Sequence, residues 1–170
     1  EQAFTSARLD GAGQLGSDPF NNDYFSLYPS ANLFVETDGE NTWSLSYSRR
    51  VNRPLGRELN PYLDMSDPRN YRSGNPFLLP EYTNSYEAAH QWQRQRTSVT
   101  TSIFFKDTRD VIRRFTSADS TTGILASTFE NLGRQHNEGL EMSLMVPLGK
   151  TGRLNWTASA YRLVNDGSGL

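Results

Sequence analysis

The chain has 170 residues with 17 Lys and Arg against 19 Asp and Glu, a net charge of −2 that excludes a dedicated nucleic-acid binder, whose footprint is a basic surplus. It contains no Cys, which removes disulfide scaffolds and thiolate metal sites. Hydrophobic residues are only 35% while aromatics reach 12%, too polar for an ordinary soluble core and too aromatic for disorder, and apolar runs such as Leu33-Phe34-Val35 and Ile103-Phe104-Phe105 are far too short for a membrane helix of about 20 residues.

Period-two alternation recurs along the chain and helical spacing does not, so the elements expected are strands with one apolar and one polar face. About seven antiparallel strands are predicted, near 1–10, 25–37, 41–51, 82–93, 97–116, 124–148 and 152–164. In the second, Pro29 lacks a backbone donor and sets the start of the regular ladder at Ser30. In the third, Trp43, Leu45, Tyr47 and Val51 share one face and Ser44, Ser46, Ser48 and Arg50 the other. The fifth puts Val99, Thr101, Ile103 and Phe105 opposite Ser98, Thr100, Ser102 and Lys106. The sixth repeats the pattern with Leu140, Met142, Leu144, Val146 and Leu148, and the seventh with Leu154, Trp156, Ala158 and Ala160.

The connections also alternate. Residues 37–41, 93–96 and 149–152 read as tight hairpin turns, the first and last with the Gly that positive φ favours. Loops are expected near 11–23, 52–81 and 117–123; the 52–81 stretch holds Pro54, Pro61, Pro68, Pro76 and Pro80 and cannot supply an inner strand. The chain ends on Asp166-Gly-Ser-Gly-Leu170 as an excerpt cut in a loop would.

Two architectures satisfy such strands: a soluble sandwich whose apolar faces meet, or a membrane barrel whose apolar face meets lipid. With strands running up and down, Trp43, Trp92 and Trp156 all fall near the tight-turn end and on the apolar face, as in an aromatic membrane-interface girdle. The barrel reading makes Leu45, Tyr47, Val99, Ile103, Phe105, Leu140, Met142, Leu144, Val146 and Leu154 lipid-facing, with Leu144 near the bilayer midplane. It makes the hydroxyl-rich face a wet lumen, the tight turns periplasmic and the long loops extracellular. The portions 129–137 and 110–114 then project beyond the membrane. The sandwich reading, a secreted glycan-binding module, instead buries the three Trp side chains in a core or groove.

Chemistry-bearing patterns are sparse. His90 and His136 stand 46 positions apart without metal-ligand spacing, no Gly-x-Ser-x-Gly elbow occurs, and Gly11-Ala-Gly-Gln-Leu-Gly16 lacks the Lys and helix of a phosphate cradle. No catalytic residue, metal or cofactor is expected, and an outer-membrane barrel enzyme would need a Ser-His-acid cluster that the sequence does not offer. Arg49 points outward, either solvated or placed to meet lipopolysaccharide phosphates. The 52–81 loop offers Tyr62, Tyr71 and Phe77 for substrate contact, although Arg53, Arg57, Arg69 and Arg72 are cancelled by Glu58, Asp64, Asp67 and Glu81, and its turns read as a packed hairpin first.

Specific stretches narrow the reading. Ser44-Leu-Ser-Tyr-Ser-Arg-Arg-Val-Asn-Arg-Pro54, Asn60-Pro61, Asp67-Pro68, Gly74-Asn-Pro76, Leu79-Pro-Glu-Tyr-Thr-Asn-Ser-Tyr-Glu87, Phe129-Glu-Asn-Leu-Gly133 and Glu138-Gly-Leu-Glu141 resemble the barrel of TonB-dependent outer-membrane receptors, in particular the Bacteroidetes-type outer-membrane β-barrel family. The resemblance implies a Gram-negative outer-membrane location with lipid as a neighbour. It also implies a barrel of about 22 strands around an N-terminal plug not visible in these residues, and import of a siderophore, cobalamin, glycan or peptide powered by the TonB complex.

Overall fold

The computed structural model describes residues 2–7 and 20–167, with side chains from residue 25 onward. The chain divides into two compact units, one of residues 28–52, 81–111 and 132–170, the other of residues 1–27, 53–80 and 112–131.

The first unit is a six-stranded antiparallel sheet. In chain order the strands are β3 (Ser30–Thr37), β4 (Asn41–Asn52), β6 (Glu81–Arg94), β7 (Thr97–Arg109), β10 (Arg134–Leu148) and β11 (Gly152–Asp166), and each pairs with the next to give the order β11-β10-β7-β6-β4-β3. This is an up-and-down meander, in which every neighbour in the sheet is also the next of these strands along the chain. The ladder opens at Ser30, paired with Ser48, and Pro29 contributes only its carbonyl, which accepts from the Arg49 N–H at 3.0 Å. The turns are tight. Asp38 and Gly39 have φ of 54° and 66°, the positive values that match the twist of a hairpin. Gln95, at φ 54°, takes the same region without a glycine.

Directly opposed residues in an antiparallel pair point to the same face, so the register assigns faces. One row reads Leu33, Leu45, Ala88, Ile103, Leu140 and Ala160 across all six strands. The row beside it reads Val35, Trp43, His90, Thr101, Met142 and Ala158. The other face carries Ser46, Glu87, Phe104 and Gly139, and Ser44, Ala89, Ser102, Glu141 and Ser159.

The second unit contains the connecting segments. A two-stranded ladder pairs β1 (Gln2–Ala7) with β2 (Phe20–Phe25), and a three-stranded sheet has the order β5-β9-β8, from β5 (Asn70–Arg72), β8 (Ile112–Ala118) and β9 (Leu125–Asn131). One helical turn, α1 (Gly56–Leu59), precedes β5, and its Glu58 carboxylate accepts from the Leu55 N–H at 2.9 Å. The 53–80 segment is tied to β9 through its backbone and its amides. β5 runs parallel to β9, the Ser73 N–H donates to the Ser127 carbonyl at 3.0 Å, and the Asn75 amide donates to the Phe129 carbonyl at 3.0 Å. Asn131 mimics a strand partner, its oxygen accepting from the Leu79 N–H at 2.8 Å and its amide donating to the Leu79 carbonyl at 2.9 Å.

The expected strand boundaries need correction. The first strand pairs with β2 and does not join the six-stranded sheet, and the strand expected at 25–37 is interrupted at residues 26–29, where Pro29 removes a donor. The continuous strands expected at 97–116 and 124–148 each divide in two, because Asp110 and Gly133 take positive φ of 57° and 72°. Pairing nevertheless keeps one register through the break, Arg109 with Arg134 and Ile112 with Asn131. The loop expected at 117–123 is the tip of the β8–β9 hairpin, closed by the Asp119 N–H on the Ile124 carbonyl at 2.9 Å. Residues 8–10 of the expected first strand and 11–19 of the expected first loop lie outside the described residues.

Candidate functional site

The sheet buries almost nothing. Among the described residues, Leu78 and Val111 are the only large hydrophobic side chains that are buried. A soluble domain of this length removes most of its apolar side chains from water. Instead Leu33, Leu45 and Ile103 of the central row are 55–56% exposed, and Trp43 and Trp156 are 53% and 49% exposed. The Trp core required by a sandwich is therefore not formed: these side chains lie on a bare apolar face.

That face is ordered by depth. Trp92, Val99, Leu144 and Trp156 form one row, with Trp43 one row further from the turns. At the other end Tyr47, Tyr86 and Phe105 occupy a single row and touch in series, with ring centroids 5.0 and 6.4 Å apart. The register thus brings together all three sequence-predicted girdle residues and all ten residues predicted to meet lipid, from Leu45 and Tyr47 to Val146 and Leu154. It adds an aromatic row that alternation alone had not separated from the band. From Leu148 to Glu138 is ten residues, about 34 Å of strand, which at a barrel's tilt of about 40° spans roughly 26 Å, close to the apolar height of about 25 Å in outer-membrane barrels. The midpoint of that span falls at Ser143, between Met142 and Leu144.

Beyond the Tyr row the same face turns polar, a feature the sequence reading missed because it followed the alternation only as far as Phe105. Asp107 is 5% exposed, and Arg134 grips it with Nε on Oδ1 at 2.5 Å and Nη2 on Oδ2 at 2.7 Å. Arg109 Nε reaches Oδ2 at 3.4 Å, His136 Nδ1 lies 3.4 Å from Oδ1, and the His136 ring stacks on Phe105 at 5.7 Å. Arg49, in the same row as Asp107, lies over the Tyr82 ring at 4.8 Å. His90, the other histidine, stacks on Trp43 at 4.2 Å and shares a 2.9 Å hydrogen bond with Asn41.

In the connecting unit Tyr62 and Phe77 are exposed at 60% and 73%, while Tyr71, in β5 opposite Ala126, is half-buried. The turns are fixed by carboxylates. Asp64 accepts from the Ser66 hydroxyl and N–H, Asp67 from the Arg69 N–H at 2.9 Å and the Asn70 amide at 2.6 Å, and Asp119 from the Thr121 N–H at 2.8 Å and the Thr122 hydroxyl at 2.7 Å. These hydrogen bonds favour the charged form and hold all three carboxyls below the ordinary aspartate range. Gly74 admits no side chain, since a Cβ there would meet the Glu58 and Asn60 carbonyls at 2.5 and 2.6 Å. Phe129-Glu-Asn-Leu-Gly133 is joined in space to Gly74-Asn-Pro76 through Asn75, which donates to the Phe129 carbonyl, and to Leu79-Pro-Glu-Tyr-Thr-Asn-Ser-Tyr-Glu87 through Asn131, which bonds Leu79.

The profile of the outer membrane protein beta-barrel family matches residues 4–169. The chain belongs to that family. Its place is the outer membrane, and its six-stranded meander is barrel wall. No curated protein sequence is significantly similar to it. Among solved structures, its fold is similar to the siderophore receptor PirA from Pseudomonas aeruginosa, with a TM-score of 0.72 and 21% identity over 86% of this chain and 29% of that one. The hemophore receptor HasR of Serratia marcescens, solved with its hemophore HasA and heme, gives a TM-score of 0.69 and 16% identity over 95% of this chain and 29% of that one. The ferric enterobactin receptor PfeA from Pseudomonas aeruginosa gives 0.61 and 20% over 81% and 21%. The chain spans less than a third of each of these receptors.

Proposed function

We propose that this chain is part of the barrel wall and extracellular rim of a TonB-dependent import receptor. The observation that carries the reading is the exposed apolar face bounded by Trp and Tyr rows, in a family member whose fold is shared with siderophore and hemophore receptors. In this reading the rows from Leu45 to Leu154 meet lipid, Trp43, Trp92 and Trp156 form the periplasmic-side girdle, and the turns at 38–40, 95–96 and 149–151 face the periplasm. The hydroxyl-rich face lines the lumen. The segment 53–80 belongs to the outer end, where the exposed Tyr62 and Phe77, with Tyr71 beside them, offer aromatic surface to a substrate such as a siderophore, glycan or peptide. Opening would depend on a plug and the TonB complex, both outside this chain.

The test starts from the full reading frame that contains this segment. Its product is expected in the outer-membrane fraction as a heat-modifiable band, and its deletion is expected to abolish growth on one chelated iron source, glycan or peptide in a panel, restored by the intact gene but not by one with its TonB-contacting segment removed. A product that supports uptake equally well without TonB refutes the import reading.

A further inference from the structure

We propose that the outward surface of β4, β6 and β7 is a built site for one anionic lipid, with Arg49 and Arg109 taking the phosphate and a furrow below them taking an acyl chain. The inference deepens the membrane-wall reading and rests on its assignment of this face to lipid.

The furrow lies in the apolar face. It is an open depression of about 690 Å³ with Ala31 and Ala88 at its small positions, Leu45, Tyr47, Ile103 and Phe105 among its walls, and Glu138, beside Arg162, in the row that closes it. Small side chains beside larger apolar ones leave a channel that a flexible hydrocarbon can occupy. The row that closes it, Tyr47 to Phe105, is followed one row on by Arg49 and Asp107 and two rows on by Arg109 and Arg134. Each row is about 7 Å of strand, so the cations stand a headgroup's length beyond the end of the furrow.

Their charges are not equally committed. Arg134 makes two short hydrogen bonds to Asp107 and neutralises it, whereas Arg109 makes one long contact and its side chain is 60% exposed. Arg49 Nε is buried without a hydrogen-bond partner. A desolvated N–H without an acceptor is costly unless an oxygen arrives from outside the chain. Other charges face the cluster: Asp166 is in the Arg134 row, and Glu138 lies 3.8 Å from Arg162. Four arginines against three carboxylates leave a positive surplus, concentrated at Arg49 and Arg109. Guanidinium donors suit phosphate oxygens, and basic pockets beside apolar surface bind lipid headgroups.

The full-length receptor, purified from outer membranes in mild detergent, is titrated with phosphatidylglycerol, with diacylglycerol and with inorganic phosphate, and bound species are counted by native mass spectrometry. The expected result is one phosphatidylglycerol held at least tenfold more tightly than diacylglycerol or phosphate, each of which supplies only half of the contacts. Arg49→Gln with Arg109→Gln is expected to lower that affinity at least tenfold, and Ala88→Phe, which fills the furrow and leaves the cations in place, severalfold. Inorganic phosphate binding as tightly as the lipid reduces the site to a free-anion site and overturns the proposal. So does unchanged lipid affinity in either variant; Ala88→Phe decides the matter if the double variant fails to fold. Quenching of the Trp fluorescence by brominated lipid separates the two levels: quenched Trp without selective lipid binding refutes the site alone, and unquenched Trp in a folded barrel refutes the lipid-facing assignment itself.

Discussion

The two units of this chain are held together in opposite ways. The six-stranded sheet depends on repetition: each strand pairs with the next, and no side chain is needed to fix the pairing beyond its place in the alternation. The connecting unit depends on particular side chains, with Asn75 and Asn131 bonding the backbone of distant segments and Asp64, Asp67 and Asp119 closing turns. A repeated pattern tolerates loss of one polar side chain and responds sharply to a charge on the wrong face. An assembly of single bonds responds in the reverse manner.

The largest effect is expected from Leu144→Lys, beside the midpoint of the apolar face, at about 2–4 kcal/mol if that row sits near the bilayer midplane. Ser143→Lys, one residue away and paired with Thr100 and Thr157, is expected to be nearly silent. Reversible denaturant unfolding of the folded barrel in micelles compares the two, and equal costs would remove the face assignment. Next comes Gly133→Ala, expected to cost about 1–3 kcal/mol, because the residue holds φ 72° and a Cβ would strike the Asp166 carbonyl oxygen. The same denaturation curves report it, and a change under half a kcal/mol would show that the break between β9 and β10 relaxes freely.

Asn131→Ala sharpens the contrast from the other side. Losing both bonds to Leu79 is expected to cost about 1–2 kcal/mol locally. Limited proteolysis should then cut the 53–80 segment faster while heat modifiability of the barrel is retained; loss of both together would mean that the two units are not independent in stability. The smallest effect is that of pH. Asp67 and Asp119 have folded-state pKa values below their unfolded ones, so their contribution is present above the ordinary aspartate range and is lost as pH falls through the lowered values. Amide protection at Arg69 and Thr121, corrected for intrinsic exchange, should fall between about pH 6 and pH 2, while protection within β7 and β10 holds.

The same contrast explains what the sequence disclosed. Alternation in 41–51, 97–105, 140–148 and 152–160 is a property of every second residue, so it survives in one dimension and gave both the strands and their faces. The parallel pairing of β5 with β9 joins residues about 55 positions apart through backbone groups, and no side-chain pattern announces it. Asp110 is a similar case, because aspartate tolerates positive φ without requiring it. The Asp107 cluster was within reach: Asp107 and Arg109 continue the parity of Ile103 and Phe105, and His136 and Arg134 that of Leu140. Hydrophobicity alone does not reveal the continuation, because the face changes character where the aromatic row ends.

The unbroken register through Asp110 and Gly133 also has a practical use. Residues added at the hairpin tip, between Thr121 and Thr122, lengthen a turn and leave the pairs from Arg109–Arg134 downward unshifted. That tip is therefore the place to splice a short epitope tag, so that an antibody applied to intact cells reads which end of the wall meets the outside world.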